Sequence, residues 1–381
     1  MDDLTIGYDA KRIVRNATGL GNYGRTLIND LAVNSPGNIK YRLYVPDKGR
    51  DDLRQQVSES DRLQYVYRNT DLSPVDKGLW RIKGIVKDLK RDGVNIYHGL
   101  TGDLPMGLQR ADIKGVVTIH DLIFLRHPEY YNWLDAKIYK YKFHLACREA
   151  DKIIAISECT KRDIIEFGHV DSYKIETIYQ SVSSRYGTPQ SEDELRRVRM
   201  LYGLPKRYIL NVGTIEARKN VMLAVQAIKN LPADVSLVIV GKHTTYTNKV
   251  IDYIETHQLH RRVLILHGVP DADMPGIYQQ AEAFVYPSRY EGFGIPVIEA
   301  IHCGLPVVAC TGSCLEEAGG PDSLYVSPDD VDAMSSSLMQ VLRGAEGREQ
   351  RILRSREYVT RFEGTDVVGR MLKLYQQVSE L

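Results

Sequence analysis

Three short stretches hold the residue types that chemistry on a phosphorylated substrate would need. The first is Ser288-Arg289-Tyr290-Glu291-Gly292-Phe293-Gly294-Ile295-Pro296-Val297-Ile298-Glu299. Gly292 and Gly294 allow a ligand close to the backbone. Pro296 suits the first helical position and Gly304 suits the stop. The N–H groups of such a helix start, from Gly292 to Ile295, favour an anion. Glu291 would lie in the loop and Glu299 about one turn into the helix. Their carboxylates could then accept hydrogen bonds from hydroxyls on both sides of a diphosphate. The plainer alternative is two surface glutamates around a turn.

The second stretch, Gly213-Thr214-Ile215-Glu216-Ala217-Arg218-Lys219-Asn220, follows an apolar run and precedes a helical pattern. Cations at a helix N-terminus oppose the helix dipole, whose positive end lies there. A bound diphosphate beside Arg218 and Lys219 would remove that conflict; two solvated surface cations are the alternative. The third stretch, Thr18-Gly19-Leu20-Gly21-Asn22-Tyr23-Gly24, matches the dinucleotide pattern G-x-G-x-x-G. In a dinucleotide fold the first glycine directly follows the strand, but here nine residues separate Asp9 from Gly19. Gly19 and Gly21 can still offer backbone N–H groups to a phosphate at a helix start. His120 closes the apolar run 115–119, at a strand's carboxyl end, where α/β folds bind ligands. A core histidine is its alternative role, and His98, at the end of another run, reads as structural.

Other groupings read as less than sites. Asp271-Ala272-Asp273 has the look of a metal-binding pair, but just before a helical pattern those acids read as caps. Cys303, Cys310 and Cys314, with His302 beside them, fit no zinc spacing and read as small buried residues. No catalytic metal and no cofactor are expected.

These residues need a frame. Apolar, β-branched runs alternate with helical patterns through both halves of the 381 residues. The first half has runs at 4–8, 41–45, 63–67, 95–98, 116–119 and 153–156. The second has them at 208–212, 235–240, 263–266, 283–286, 306–309 and 324–326. Such runs read as parallel strands buried on both faces and joined by helical crossovers. The expected class is α/β with two doubly wound, Rossmann-like domains. The polar stretch 183–194 marks the boundary, giving domains 1–185 and 186–355. A tail, 356–381, is expected to cross back as a helix onto the first domain.

Composition bounds the partners. Hydrophobic residues make up 43% and charged residues 26%, with a net charge of +1, the balance of a globular protein. That charge does not suggest nucleic-acid binding. No run of 18 apolar residues suggests a membrane span, and no signal peptide is expected. A reducing, cytoplasmic setting follows from five cysteines without a disulfide pattern. Trp80, Ile82, Ile85, Val86 and Leu89 alternate with six basic residues, and Tyr130–His144 is aromatic and basic. The first segment could cover a core or touch the inner membrane peripherally; the second could line an acceptor site.

The chain resembles glycosyltransferase family 4, whose members have the GT-B fold of two Rossmann-like domains facing across a cleft. The resemblance covers nearly the whole chain. It is most specific at Glu291-x₇-Glu299 and its context YPSRYEGFGIPVIEAIHCGLPVVAC. It implies that Glu291 contacts the donor sugar, Glu299 the ribose and Lys219 the diphosphate. Gly19 and Gly21 match the family's N-terminal glycine loop, and Thr118-Ile119-His120-Asp121 matches the segment with its active-site histidine. Where the family often has arginine after the strand glycine, this chain has Thr214, and Arg218 is the candidate second charge.

The implied activity is retaining, metal-independent transfer of a sugar, with GDP-mannose as the expected donor, onto a hydroxyl of a glycan or lipid-linked acceptor. Bacterial mannosyl- and rhamnosyl-type transferases of surface polysaccharide assembly look similar. Two other classes remain open at this point: a nicotinamide-dependent oxidoreductase built on Gly19-Gly21-Gly24, and an inactive scaffold that binds sugar nucleotides.

Overall fold

The computed structural model describes residues 3–68, 73–180, 182–362 and 367–381. The chain separates into two compact units, one of residues 1–180 with 364–381, the other of residues 181–363. The first limit falls at 180 rather than 185. The expected limit at 355 cuts a helix, Arg348–Val359, whose Ile352 and Val359 are buried and which packs on helix Ile295–His302 of the second unit. Only the last helix joins the first unit.

The first unit is a seven-stranded parallel sheet. Its strands are β1 (Leu4–Asp9), β2 (Ile39–Val45), β3 (Leu63–Tyr67), β4 (Ile96–Gly99), β5 (Lys114–Ile119), β6 (Lys152–Ala155) and β7 (Ile175–Thr177), in the order β3-β2-β1-β4-β5-β6-β7. The sequence pattern indicates six strands. β7 escapes it because three residues with Glu176 in the middle form no apolar run. Helix Val367–Ser379 places Met371, Leu374, Tyr375 and Val378 along one face, in the same core as Ile6, Tyr8 and Ile96. Burying each of the aliphatic members contributes about 1.5–3 kcal/mol, so the tail is integral to this unit.

The second unit has six parallel strands: β8 (Tyr208–Val212), β9 (Ser236–Val240), β10 (Val263–Leu266), β11 (Ala283–Tyr286), β12 (Val307–Cys310) and β13 (Leu324–Val326). Their order is β10-β9-β8-β11-β12-β13. β9, β11 and β12 are buried at every residue, as their unbroken apolar runs require. In both sheets the order reverses direction once, between β1 and β4 and between β8 and β11. Doubly wound sheets bind ligands outside the carboxyl ends of the strands at such a switch point.

The basic amphipathic segment differs from its sequence reading. Ser73 caps it by accepting from Asp76 N at 3.2 Å, and a π-helical turn, Trp80–Gly84, interrupts it. Trp80 faces inward, 3% exposed, with Nε1 donating to Asp88 at 2.7 Å. It is a core residue. Among the described residues no helix is long and apolar enough to cross a membrane.

Candidate active site

At the second unit's switch point the loops after β8 and β11 meet. Residues Ala217–Lys219 form a single 3₁₀ turn, and Asn220, at φ +52°, starts helix Val221–Ala227. Lys219 Nζ lies 2.6 Å from Glu291 Oε1, and Arg218 lies 3.1 Å from Glu291 Oε2. Lys219 also donates to the Tyr286 hydroxyl at 2.8 Å, and Arg218 donates to the Tyr290 carbonyl at 2.6 Å. The conflict between two cations and a helix start is thus met by the Glu291 carboxylate, which stands where an anion is favoured. Burial opposes charge on all three groups. The pairing overcomes it: Glu291 is held below the usual carboxylate range by Lys219 and Arg218, and Lys219 is raised by Glu291.

The loop that carries Glu291 is fixed from below. Gly294, at φ +106°, precedes helix Ile295–His302, and a Cβ there would stand 3.0 Å from Leu315. Pro296 occupies the second helical position, not the first. The Phe293 ring is buried against Phe362, with ring centroids 5.2 Å apart, so only its backbone is available to a donor. Cys314 Sγ supports the Glu291 carbonyl at 3.1 Å, and all five cysteines are free.

Glu299 has different partners from Glu291. Its Oε2 accepts from the Tyr278 hydroxyl at 3.0 Å. Burial pushes its carboxyl up to about 7, against the lowering influence of Tyr278 and Arg185. Asp273 occupies the N-cap position of helix Met274–Gln279 but makes no capping hydrogen bond. Its carboxylate is taken by Arg197 and Tyr202. Among the described residues no three His, Cys, Asp or Glu side chains are grouped to hold a metal.

In the first unit the glycine cluster is no loop. Gly19 begins helix Gly19–Asn34, after a short helix Lys11–Arg15 that separates it from β1. A Cβ on Gly21 would collide with the Asn16 carbonyl oxygen, so this glycine serves a close helix–turn contact; Gly19 has open space around it. The strand–turn–helix geometry of a dinucleotide site is therefore not present here.

Tyr23 of this helix meets His120 edge to face, with centroids 4.8 Å apart. His120 Nε2 lies 2.8 Å from the Leu100 carbonyl and Nδ1 lies 2.8 Å from the Gln180 amide nitrogen. Both contacts are satisfied by the neutral ring with its proton on Nε2. Burial lowers its pKa to about 4, so this histidine is no proton donor at neutral pH. Behind it, His98 Nε2 lies 2.8 Å from Thr118 and Nδ1 lies 2.7 Å from the Tyr375 hydroxyl, which accepts from Tyr8 at 3.1 Å.

Gln180, Tyr278 and Tyr286 are partners that the sequence pattern does not reveal. They lie 60, 21 and 67 residues from the groups they hold.

Two Rossmann-like units, with paired cations and an E-x₇-E segment at the second unit's switch point, define a glycosyltransferase of the GT-B type. The comparisons agree. The profile described as Glycosyl transferases group 1 matches residues 197–358, and that of Glycosyltransferase Family 4 matches residues 21–185. O-antigen chain mannosyltransferase B from Escherichia coli is 32% identical over 371 residues, covering 94% of this chain and 96% of its own. O-antigen chain mannosyltransferase RfbU from Salmonella typhimurium is 28% identical over 247 residues, 65% of each chain. Among solved structures, sucrose-phosphate synthase from Thermosynechococcus elongatus matches with a TM-score of 0.79 at 19% identity, covering 98% of this chain and 99% of its own. Anabaena HepE in complex with UDP and glucose matches with a TM-score of 0.75 at 15% identity, over 98% and 99%. The chain belongs to glycosyltransferase family 4. It is an enzyme that transfers a sugar.

Proposed function

We propose that this enzyme moves mannose from GDP-mannose to a hydroxyl of a glycan or lipid-linked acceptor in surface polysaccharide assembly, with retention and without a metal. The observation that carries this reading is the triad of Lys219, Arg218 and Glu291 at the β8/β11 switch point. Two desolvated cations already stand where charge grows on a leaving diphosphate, a preorganised electrostatic effect that replaces a divalent ion. Mannose is supported by the mannosyltransferase relatives, and retention by the family resemblance.

In this reading Glu291 turns from its cations to a donor hydroxyl as the diphosphate takes them over, and Glu299 accepts from the ribose. His120 offers Nδ1 to a substrate hydroxyl in exchange for the Gln180 amide. The test is transfer from labelled GDP-mannose, against UDP-glucose, UDP-galactose and dTDP-rhamnose, to lipid-linked glycans, with the product anomer read by NMR. Preference for another donor, an inverted product, or loss of activity in EDTA restored by Mg²⁺ would each overturn the matching part.

Peripheral membrane contact belongs to the same reading, with a changed anchor. Trp133, Leu134 and Tyr141 on helix Trp133–Glu149 are 67%, 52% and 60% exposed among lysines. Flotation with anionic vesicles should carry the protein at low salt and Trp133→Ala should reduce it. Equal flotation of both proteins would remove Trp133 from the contact.

A further inference from the structure

Glu299 is also held by the segment that begins the second unit. Residues Ser184–Tyr186 form a single 3₁₀ turn that packs on helix Ile295–His302. Tyr186 is buried, with its ring edge to face with Tyr278 at 5.3 Å between centroids, and its carbonyl accepts from Cys303 Sγ at 3.2 Å. Its hydroxyl donates to the Glu299 carboxylate, as the Tyr278 hydroxyl does at 3.0 Å. Burial, and then the charge of Glu299, raises both phenols well above neutral pH, so both remain donors.

Arg185 stands at the outer end of this row. Its guanidinium lies 5.0 Å from the centroid of the Tyr186 ring, and Nη2 donates to the hydroxyl at 3.3 Å. The same nitrogen lies 3.8 Å from Asp271, which is 71% exposed. A phenol that accepts from a guanidinium is a stronger donor, because linked hydrogen bonds polarise one another. A carboxylate has about four lone-pair sites, so two phenols leave room for the hydroxyls of a ligand.

We propose that Arg185 is a positioning residue for Glu299: through the Tyr186 hydroxyl it orients the carboxylate and keeps it able to accept, while Asp271 draws on the same guanidinium nitrogen. That the ligand is a ribose rests on the transferase reading above; the row of contacts does not.

The groups that bear on the carboxylate come from several elements. Burial raises it most; Tyr278, Arg185 and Tyr186 lower it, and Asp271 raises it. Cys303, at the end of the same helix, is a neutral thiol raised by burial. Arg356, on helix Arg348–Val359, donates to the His302 carbonyl at 3.1 Å, and Glu316, on helix Leu315–Gly319, is taken by Thr311. Arg185 and Asp271 are therefore the charges to change, and they act with opposite sign.

The test reads Glu299 directly, by carbon NMR of the whole chain labelled at its glutamate carboxyls, with Glu299→Gln to assign the signal. Wild type should titrate near pH 7. Arg185→Met should raise that midpoint by about one pH unit, the low end of what a nearby opposite charge does. Asp271→Asn should lower it by about half a pH unit, the smaller effect of an exposed, screened acid. Arg185→Lys should restore the wild-type midpoint. In calorimetry, Arg185→Met should bind GDP about fivefold more weakly at pH 7 and within about twofold of wild type at pH 9, following the ionised fraction. At pH 6 Asp271→Asn should bind GDP about two- to threefold more tightly than wild type.

A turn merely loosened by substitution would weaken binding at every pH and would not move the two midpoints in opposite directions. Midpoints that stay in place, or that move the same way in Arg185→Met and Asp271→Asn, would overturn the proposal. Asp271→Asn, at an exposed position, decides the matter if Arg185→Met does not fold. Opposed midpoints in the free protein, with GDP affinity indifferent to pH, would instead sink the ribose role of Glu299 and leave the row from Arg185 standing.

Discussion

The two switch points share a topology and place opposite charges at the centre of their ion clusters, a carboxylate in one and a guanidinium in the other. Beside β8 and β11, Glu291 stands between two cations, Lys219 and Arg218, and Arg218 pairs with Glu216 as well, at 2.8 Å. Beside β1 and β4, two carboxylates share one guanidinium, Asp9 and Asp103 on Arg81. The fold decides where a ligand lies, and the side chains decide its charge. When Glu291 turns away, Lys219 loses its counter-charge while Arg218 keeps Glu216, so the second unit gains positive charge suited to a diphosphate. The first unit, where Lys142 also pairs with Asp103, stays neutral whichever partner Arg81 keeps.

A second contrast concerns what holds the sites. Ion pairs hold Glu291, whereas neutral hydrogen bonds hold His120 and His98, whose pKa values burial lowers to about 4 and about 3.

The largest effect should come from the cations. Lys219→Ala should lower kcat by about 10²–10³, as loss of one preorganised donor does elsewhere. A fall of less than about tenfold would mean the charge is not used in the transition state, and the contrast between the switch points would lose its functional meaning. Glu291→Gln should divide binding from chemistry. The amide no longer neutralises Lys219 and Arg218, so calorimetry should show affinity for the bare nucleotide diphosphate kept or raised. Transfer should fall by about tenfold or more, because a charge-assisted hydrogen bond to the sugar is gone. Weaker nucleotide binding in this variant would show that Glu291 organises the cations rather than competing for them.

Most of this frame is legible in the sequence, and the failures have physical causes. The strands of four or more residues announce themselves by apolar residues: unbroken where both faces are buried, as in β11 and β12, and alternating where one face is open, as in β2 and β3. The Gly19–Gly24 stretch reads as a loop because glycine has low helix propensity, yet packing at Asn16 and Ile13 makes it a helix start. The alternation around Trp80 has the right period, but the π-helical turn at 80–84 resets which face points inward. Glu291, Arg218 and Lys219 are recognisable by type and spacing. That the free protein joins them into one cluster is not, since two loops 72 residues apart meet only through the sheet order.

A smaller effect tests the second contrast by pH. Glu299 titrates at about 7, raised by burial, while an exposed glutamate titrates near about 4.3. Between those values the unfolded chain ionises first, so this group's contribution to stability is full at low pH and is lost as pH rises to about 7. Ribose hydroxyls need the ionised acceptor, so nucleotide affinity should rise about tenfold between pH 6 and 8. Binding at pH 7 should release on the order of half a proton, visible in calorimetry as a heat that depends on the buffer. In the first unit His98 and His120 should not titrate in this range, because burial already keeps both rings neutral. Their contribution is lost only as pH falls below about 6.5 toward their lowered values. Unchanged proton release in Glu299→Gln would assign the proton elsewhere and erase this difference between the units.

The smallest effect belongs to Tyr375, on the last helix, where its hydroxyl donates to His98 Nδ1 and accepts from Tyr8. His98 then passes its Nε2 proton to Thr118, and Tyr23 lies 3.3 Å from the same hydroxyl with its ring against His120. Tyr375→Phe keeps the ring in the core and removes only the central hydroxyl, leaving two buried polar groups short of a partner. Such a loss costs about 1–3 kcal/mol, which for a unit of this size lowers the melting temperature by a few degrees. Because the network is neutral and reaches His120 only through packing, turnover should fall by less than about tenfold, far below the loss at Lys219. A drop in kcat as large as that of Lys219→Ala, with the melting temperature little changed, would make the C-terminal helix part of the active site and the first unit's site as dependent on one side chain as the second's.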